Sequence, residues 1–144
     1  MKRAITRLAL ISAGAVLVLI GAALMVSPKA FLEMSHVFVE QDPGLMSELT
    51  APSGVLILAG ALLLIAGLKL QFANLALIVG VIVYASYGLG RLVSMVLNGL
   101  PSESLIIATI IELGIATMLG VLRTWTRSDL DSFERHAHTR ARHT

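Results

Sequence analysis

The chain has 144 residues, of which 56% are hydrophobic and only 14% are charged, and its formal net charge is +2. A soluble domain carries about 25% charged residues, so this composition favours lipid as the surrounding solvent. The absence of cysteine excludes disulfide scaffolds, thiol redox enzymes and cysteine-ligated metal sites.

Four apolar runs follow one another along the chain, and each is long enough to cross a bilayer, which takes about 20 residues as a helix. None of them alternates with the period of two that a barrel strand requires. Pro52 suits the first turn of the second helix, and Ser102 or Ser104 can cap the fourth. The first run is too long for a secretory signal and lacks a good cleavage site, which favours a retained helix. The predicted spans are about 5–26, 52–68, 72–96 and 105–122.

Two further segments lie outside the spans. The first loop, residues 27–51, predicts a short helix on the outer membrane surface with its apolar side chains turned inward. Its Glu33 and His36 have the spacing of one metal-binding motif, but the second motif of a di-iron bundle is missing, so we predict no metal and no cofactor. Residues 124–144 predict a polar, basic tail near anionic lipid, in which Ser128 and Asp131 resemble a capping box that opens a new short helix.

The distribution of charge predicts the orientation. Basic residues precede the first span, occupy the second loop and follow the fourth span, whereas the first loop is mainly acidic. The positive-inside rule therefore places both termini in the cytoplasm, and we expect a multi-pass protein of a bacterial inner membrane. The predicted domain is the four-span unit of residues 1–123, followed by the cytoplasmic tail.

Small residues recur within the spans. Gly14 and Gly21 lie seven residues apart in the first span, and Gly60 and Gly67 do so in the second. Such spacing keeps glycine on one face of a helix and predicts close approach of helix backbones.

Arg91 and Glu112 are the two charges that lie inside apolar runs. Arg91 is seven residues before Asn98, and Glu112 is ten residues after Ser102, on the other side of a short turn. At about 1.5 Å per residue, their depths differ by roughly 5 Å, which an arginine side chain can reach across. Because a lone charge in lipid is costly, we predict an ion pair between them.

Polar residues at helical spacing around this pair define a candidate pocket between the third and fourth spans, open to the outer face. One interpretation is structural, with the pair fixing the register of the two helices. The other is a ligand pocket in which Arg91 holds an anionic group. The candidate residues are Arg91, Glu112, Tyr84, Tyr87, Ser94, Thr109 and Glu48.

Four short motifs resemble one known family, the bacterial inner-membrane proteins called domain of unknown function 4345. The resemblance covers about residues 8–122, although Pro52-Ser53 replaces the aromatic–glycine pair usual in the family. The plan is also similar to the broader DoxX-like four-helix membrane proteins. The resemblance implies a four-helix topology and no particular reaction. The motifs are Glu48-Leu49-x-Ala51-x-x-Gly54, Gly88-x-Gly90-Arg91-x-x-Ser94, Asn98-Gly99-x-Pro101-Ser102 and Glu112.

The sequence therefore predicts an all-α, four-helix transmembrane bundle. We expect a non-enzymatic accessory or scaffold protein, because no nucleophile–base set is visible, in contact with the bilayer and self-associating or part of a larger membrane complex. The alternative is a binder or transporter of small molecules or lipids that uses the pocket. An enzyme acting on a lipid or quinone through Glu112 is a third hypothesis, and the basic flanks indicate no nucleic-acid partner.

Overall fold

The structure, a computed structural model, describes residues 2–40 and 42–141, and from residue 126 onward it describes the backbone alone. No strand occurs in these ranges, so the prediction of an all-α fold is confirmed. The helices are α1 (Lys2–Val26), α2 (Pro28–Glu33), α3 (Pro43–Leu68), α4 (Ala73–Asn98) and α5 (Glu103–Ala141), with a 3-10 turn at Leu70–Phe72 before α4.

Among the residues that the structure describes, four helices are long and apolar enough to cross a membrane. They are α1, α3, α4 with its preceding turn, and the part of α5 from Glu103 to Trp125. Their outward sides expose large apolar side chains, among them Leu19, Leu58 and Val96. Water disfavours so much exposed apolar surface, whereas lipid accommodates it and leaves each helix to satisfy its own backbone groups.

The helices α1 and α3 pack against each other through glycine. A Cβ atom added at Gly14 would lie 2.8 Å from the carbonyl oxygen of Gly60, and one added at Gly60 would lie 2.7 Å from that of Gly14. A Cβ at Gly21 would meet the carbonyl oxygen of Ser53 at 2.9 Å. No side chain fits between backbones this close, so the predicted close approach of these glycine faces is confirmed.

The two ends of the bundle differ in packing. We call the end where α1 begins and α3 ends the basal end, and the end with α2 and the α4–α5 turn the distal end. The fully buried leucines Leu10, Leu63, Leu77 and Leu119 lie towards the basal end. On α4 the last buried residue is Gly88, and residues 89–98 are all at least partly exposed. The bundle is therefore closed at its base and open at its distal end.

The start of α3 corrects one prediction. The helix begins at Pro43, with the carboxylate of Asp42 accepting a hydrogen bond from the backbone N–H of Leu45 at 2.8 Å, so the expected start at Pro52 is wrong. An aspartate cap followed by proline in the first turn is a strong helix start. Pro52 lies inside the helix and leaves the carbonyl of Glu48 without its usual intrahelical N–H, which helices in membranes tolerate.

The fourth membrane helix also departs from expectation at both ends. Ser102 and Ser104 do not cap α5 with their side chains, because both hydroxyls point to the carbonyl oxygen of Ser35. At the other end, α5 continues to Ala141 instead of giving way to a new helix at Ser128. No glycine or proline follows Gly120 in the sequence, so no residue type that ends a helix occurs there.

Candidate functional site

The predicted ion pair forms between α4 and α5. Nε of Arg91 donates to Oε2 of Glu112 at 3.2 Å. The Glu112 side chain is 14% exposed and that of Arg91 is 33% exposed, so the pair is sheltered mainly on the glutamate side. The short turn between the two helices brings both residues to the same level, which confirms the prediction from their positions in the sequence.

The pair uses only part of the guanidinium group. A guanidinium carries five N–H donors, and a fork-like contact with a carboxylate commonly engages two of them. Here the hydrogen bond to Glu112 comes from Nε, and within the described part of the chain no hydrogen bond is found from the two terminal amino groups. Glu112 thus fixes Arg91 in place and leaves most of its donors available.

Arg91 also faces a recess at the distal end of α4 and α5. The recess has a volume of about 120 Å³ and adjoins the turn that joins the two helices. Its surface combines one cationic and one hydroxyl group with apolar side chains and exposed backbone. The lining residues are Arg91, Ser94, Met95, Gly99, Pro101 and Leu105.

Most of the predicted pocket residues lie elsewhere. The hydroxyl of Tyr84 donates to the carbonyl oxygen of Ala13 at 2.7 Å, and its side chain is buried between α4 and α1. Tyr87 packs partly buried against the core, and the buried hydroxyl of Thr109 bonds within α5. Glu112 lies behind Arg91 and does not line the recess. Of the seven predicted residues, only Arg91 and Ser94 line it.

Glu48 does not close the recess. Its side chain is exposed near the start of α3, and no ion pair or side-chain hydrogen bond links it to another residue whose side chain is described. Ser94 is exposed and accepts a hydrogen bond from the side chain of Asn98 at 3.3 Å. Glu48 is therefore not among the residues that line this recess.

The distal turn supplies the residues that sequence reasoning missed. Gly99 has a φ of +90°, a conformation that glycine adopts without strain, and Pro101 follows two residues later. The motif Asn98-Gly99-x-Pro101 indicated a turn, and this turn forms one wall of the recess.

A distal clamp ties the first loop to this turn. The Ser102 hydroxyl donates to the carbonyl oxygen of Ser35 at 2.8 Å, and the Ser104 hydroxyl lies 3.5 Å from the same oxygen. His36 adopts a left-handed conformation with φ of 60°, while the N–H of Val37 bonds to the carbonyl of Leu32. This pattern is a Schellman-type end for α2, after which the chain turns sharply.

The first loop gathers no metal ligands. Among the residues whose side chains are described, no group of three histidines and carboxylates lies close enough to hold a metal ion. The histidines of the basic tail lie outside this part of the chain.

Fold and site together define the class of this protein: a four-helix integral membrane protein with an intramembrane arginine paired to a glutamate. The sequence profile of the family described as Domain of unknown function (DUF4345) matches residues 5–123. The chain belongs to that family, as its motifs suggested. No curated protein and no solved structure matches the chain.

Proposed function

We propose that this protein is non-enzymatic and binds an amphiphile with an anionic head group at the distal recess. The observation that supports the proposal is the state of Arg91, which donates from Nε to Glu112 and also lines the recess. Bound phosphates and carboxylates are commonly held by arginine donors of this kind.

The surroundings of the recess suit a ligand with a polar head and an apolar tail. Ser94 adds a hydroxyl beside the guanidinium, and the volume of about 120 Å³ accommodates a head group more readily than a large polar molecule. Leu97 and Leu100, which are 75% and 82% exposed, lie on the same distal segment and offer apolar surface to an acyl chain. In this scheme Glu112 positions Arg91 and does not contact the ligand.

Binding of a simple probe tests the proposal. Dodecyl phosphate is titrated against the purified protein in maltoside micelles, and bound probe is counted by native mass spectrometry. We expect one saturable adduct that Arg91→Gln weakens about tenfold or more, because a charge-assisted hydrogen bond contributes about 1.5–3 kcal/mol. Lys29→Gln removes a distal charge outside the recess and should leave the adduct unchanged. If Arg91→Gln and Lys29→Gln weaken the adduct equally, the probe binds by nonspecific electrostatic attraction and the proposal is wrong.

The second candidate is the accessory or scaffold role. It is favoured by the distal part of α4, which exposes Leu89, Val93 and Val96 and packs only loosely on its own chain. In this proposal a second copy of the chain covers that surface. Because the chain contains no cysteine, oxidative cross-linking of Val93→Cys tests it directly, with Leu58→Cys, at a more exposed position on α3, as the control. A disulfide dimer is expected only in the first variant.

The Arg91→Leu, Glu112→Leu double variant separates the two candidates. An ion pair that only sets the register of two helices can be replaced by apolar packing. If the protein is a scaffold, Val93→Cys should therefore still form the disulfide dimer in the double variant. A binder loses the dodecyl phosphate adduct while its fold persists. Turnover of a lipid or quinone that disappears in Glu112→Gln would instead favour an enzyme.

The cellular setting is part of the same proposal. The basal end carries the basic residues of the N-terminus and of the α3–α4 connection, which supports a bacterial inner-membrane protein with both termini in the cytoplasm. The similarity to DoxX-like proteins remains a prediction.

A further inference from the structure

The distal part of the molecule is held together without a hydrophobic core. Residues 22–40 and 42–52, which include the described first loop, contain no buried residue, and neither do residues 89–108, which include the α4–α5 turn. Regions with few buried contacts open locally at a lower free-energy cost than the core does. The arrangement of the first loop against the α4–α5 turn therefore depends on the few polar contacts that join them.

The distal clamp joins these two regions through hydroxyl groups. The hydroxyls of Ser102 and Ser104 lie 2.8 Å and 3.5 Å from the carbonyl oxygen of Ser35, and 3.0 Å from each other. Ser35 and Ser102 are partly exposed and Ser104 is exposed, so water competes for the same carbonyl oxygen. Such a contact closes the distal end at a small free-energy difference from an open arrangement.

The backbone beside the acceptor of the clamp is strained. His36 follows Ser35 directly and has a φ of 60°, a left-handed conformation that residues with a Cβ atom adopt at a cost. Strain of this kind persists only while the surrounding contacts maintain it. The closed arrangement thus carries a cost at His36 that an open first loop does not carry.

We propose that the distal clamp is a latch, whose release from the Ser35 carbonyl lets the α4–α5 turn move away from α2. Pro101 and Leu105 flank the two clamp serines and line the recess, so this movement changes the shape of the recess. The basal end stays closed, because Tyr84 ties α4 to α1 and the buried leucines lie on the basal side. The inference concerns the movement alone and does not depend on what the recess binds.

Distances between spin labels test the latch, because the chain has no native cysteine. The labels are placed at Ala30→Cys on α2 and Ile107→Cys on α5, which are exposed positions outside the clamp. Double electron–electron resonance is recorded in micelles with excess unlabelled protein, and we expect one main, closed distance. The change of Ser102→Ala with Ser104→Ala should raise the ratio of a longer, open distance to the closed one about fivefold, the equivalent of about 1 kcal/mol for one hydrogen bond.

Two controls separate the latch from a general loosening of the bundle. Asn98→Ala removes the hydrogen bond to Ser94 in the same region but leaves the clamp intact, and it should not change the distal distances. A second label pair, Lys69→Cys with Thr124→Cys, reports the basal end and should keep its distance in every variant. An unchanged distal distance in the serine double variant overturns the latch. An equal change in Asn98→Ala, or at the basal pair, overturns it as well.

Single variants cover the case in which the serine double variant does not fold. Ser102→Ala removes the shorter of the two contacts with Ser35, so it should raise the open-to-closed ratio more than Ser104→Ala does. The reverse order contradicts the geometry of the clamp.

His36→Gly tests the strained turn without changing the serines. Glycine adopts a positive φ without the steric cost, so the closed arrangement gains stability. In the Ser102→Ala background, His36→Gly should therefore return the open-to-closed ratio at least halfway to that of the unmodified protein. A further rise of the open distance in this variant contradicts the latch as proposed.

Discussion

The charges of Arg91 and Glu112 depend on each other for their stability in the membrane. Glu112→Leu leaves the guanidinium without its carboxylate, and we expect the free energy of unfolding to fall by about 1–3 kcal/mol. The partial exposure of Arg91 favours the lower part of that range. The double variant with Arg91→Leu should lose less than the sum of the single changes. Unfolding of all four proteins in mixed micelles gives the coupling energy, and strict additivity contradicts a direct interaction.

The two tyrosines of α4 offer a matched comparison. Tyr84 donates a hydrogen bond from the core to the backbone of α1, whereas Tyr87 makes no side-chain hydrogen bond within the described part of the chain. Hydrogen bonds between membrane helices contribute about 0.6 kcal/mol on average, so Tyr84→Phe should lower the free energy of unfolding by about that amount. Tyr87→Phe should leave it unchanged. A larger effect of Tyr87→Phe in the same unfolding experiment would indicate that its hydroxyl has a partner.

Helix packing depends on which glycines face a neighbouring backbone. Gly60 touches α1, whereas a Cβ at Gly90 would meet no atom within 4 Å. Gly60→Ala should therefore destabilise the bundle by about 1–3 kcal/mol through overpacking. Gly90→Ala should be neutral or stabilise it by up to about 1 kcal/mol, as expected from helix propensity.

Thermal unfolding of these two glycine variants in the same detergent provides the comparison. Both substitutions add one methyl group to a membrane helix. A difference in stability between the two variants therefore reports the backbone contact at Gly60. Equal destabilisation by both variants would contradict the backbone contact between α1 and α3.

At the scale of elements, the sequence determined the spans better than their ends. Long apolar runs fix the number and order of the membrane helices, because lipid allows few other structures. The start of α3 depends instead on one cap, Asp42, within the polar first loop. Pro52 resembles a helix start in the hydropathy pattern, but the cap that begins α3 lies ten residues earlier. A local polar contact of this kind leaves little trace in hydropathy.

The sequence predicted only part of the candidate site, again because its pattern does not specify local contacts. Tyr84 and Arg91 lie seven residues apart and share nearly the same face of a helix. In the bundle that face meets two neighbours, so Tyr84 reaches α1 while Arg91 reaches α5. Helical spacing gives the angular position of a side chain but does not specify which neighbour it contacts. The ion pair was predictable because a charged side chain within lipid needs a partner, and Arg91 and Glu112 are the two charges that lie inside apolar runs.

The whole molecule combines a tightly packed base with an open distal end. The base is rigid because the backbones of α1 and α3 are in contact and the leucines around them are buried. On α5, buried residues continue as far as Leu122. Beyond Gly88, α4 has no buried residue, and the ion pair lies one turn into this open part. A rigid base that presents a partly engaged arginine suits a binding protein, since the site is formed before the ligand arrives.

The orientation of the bundle in the membrane gives the last prediction. The chain contains no cysteine, so single cysteines can be placed at Lys29 and Ser104 on the distal side and at Lys69 on the basal side without altering a native thiol. In intact cells with a permeabilised outer membrane, a membrane-impermeant maleimide should label the first two positions and spare the third. Lysis should make Lys69→Cys reactive. The positive-inside rule supports this outcome because basic residues are concentrated at the basal end. Labelling of Lys69→Cys in intact cells would place the termini outside and contradict the proposed orientation.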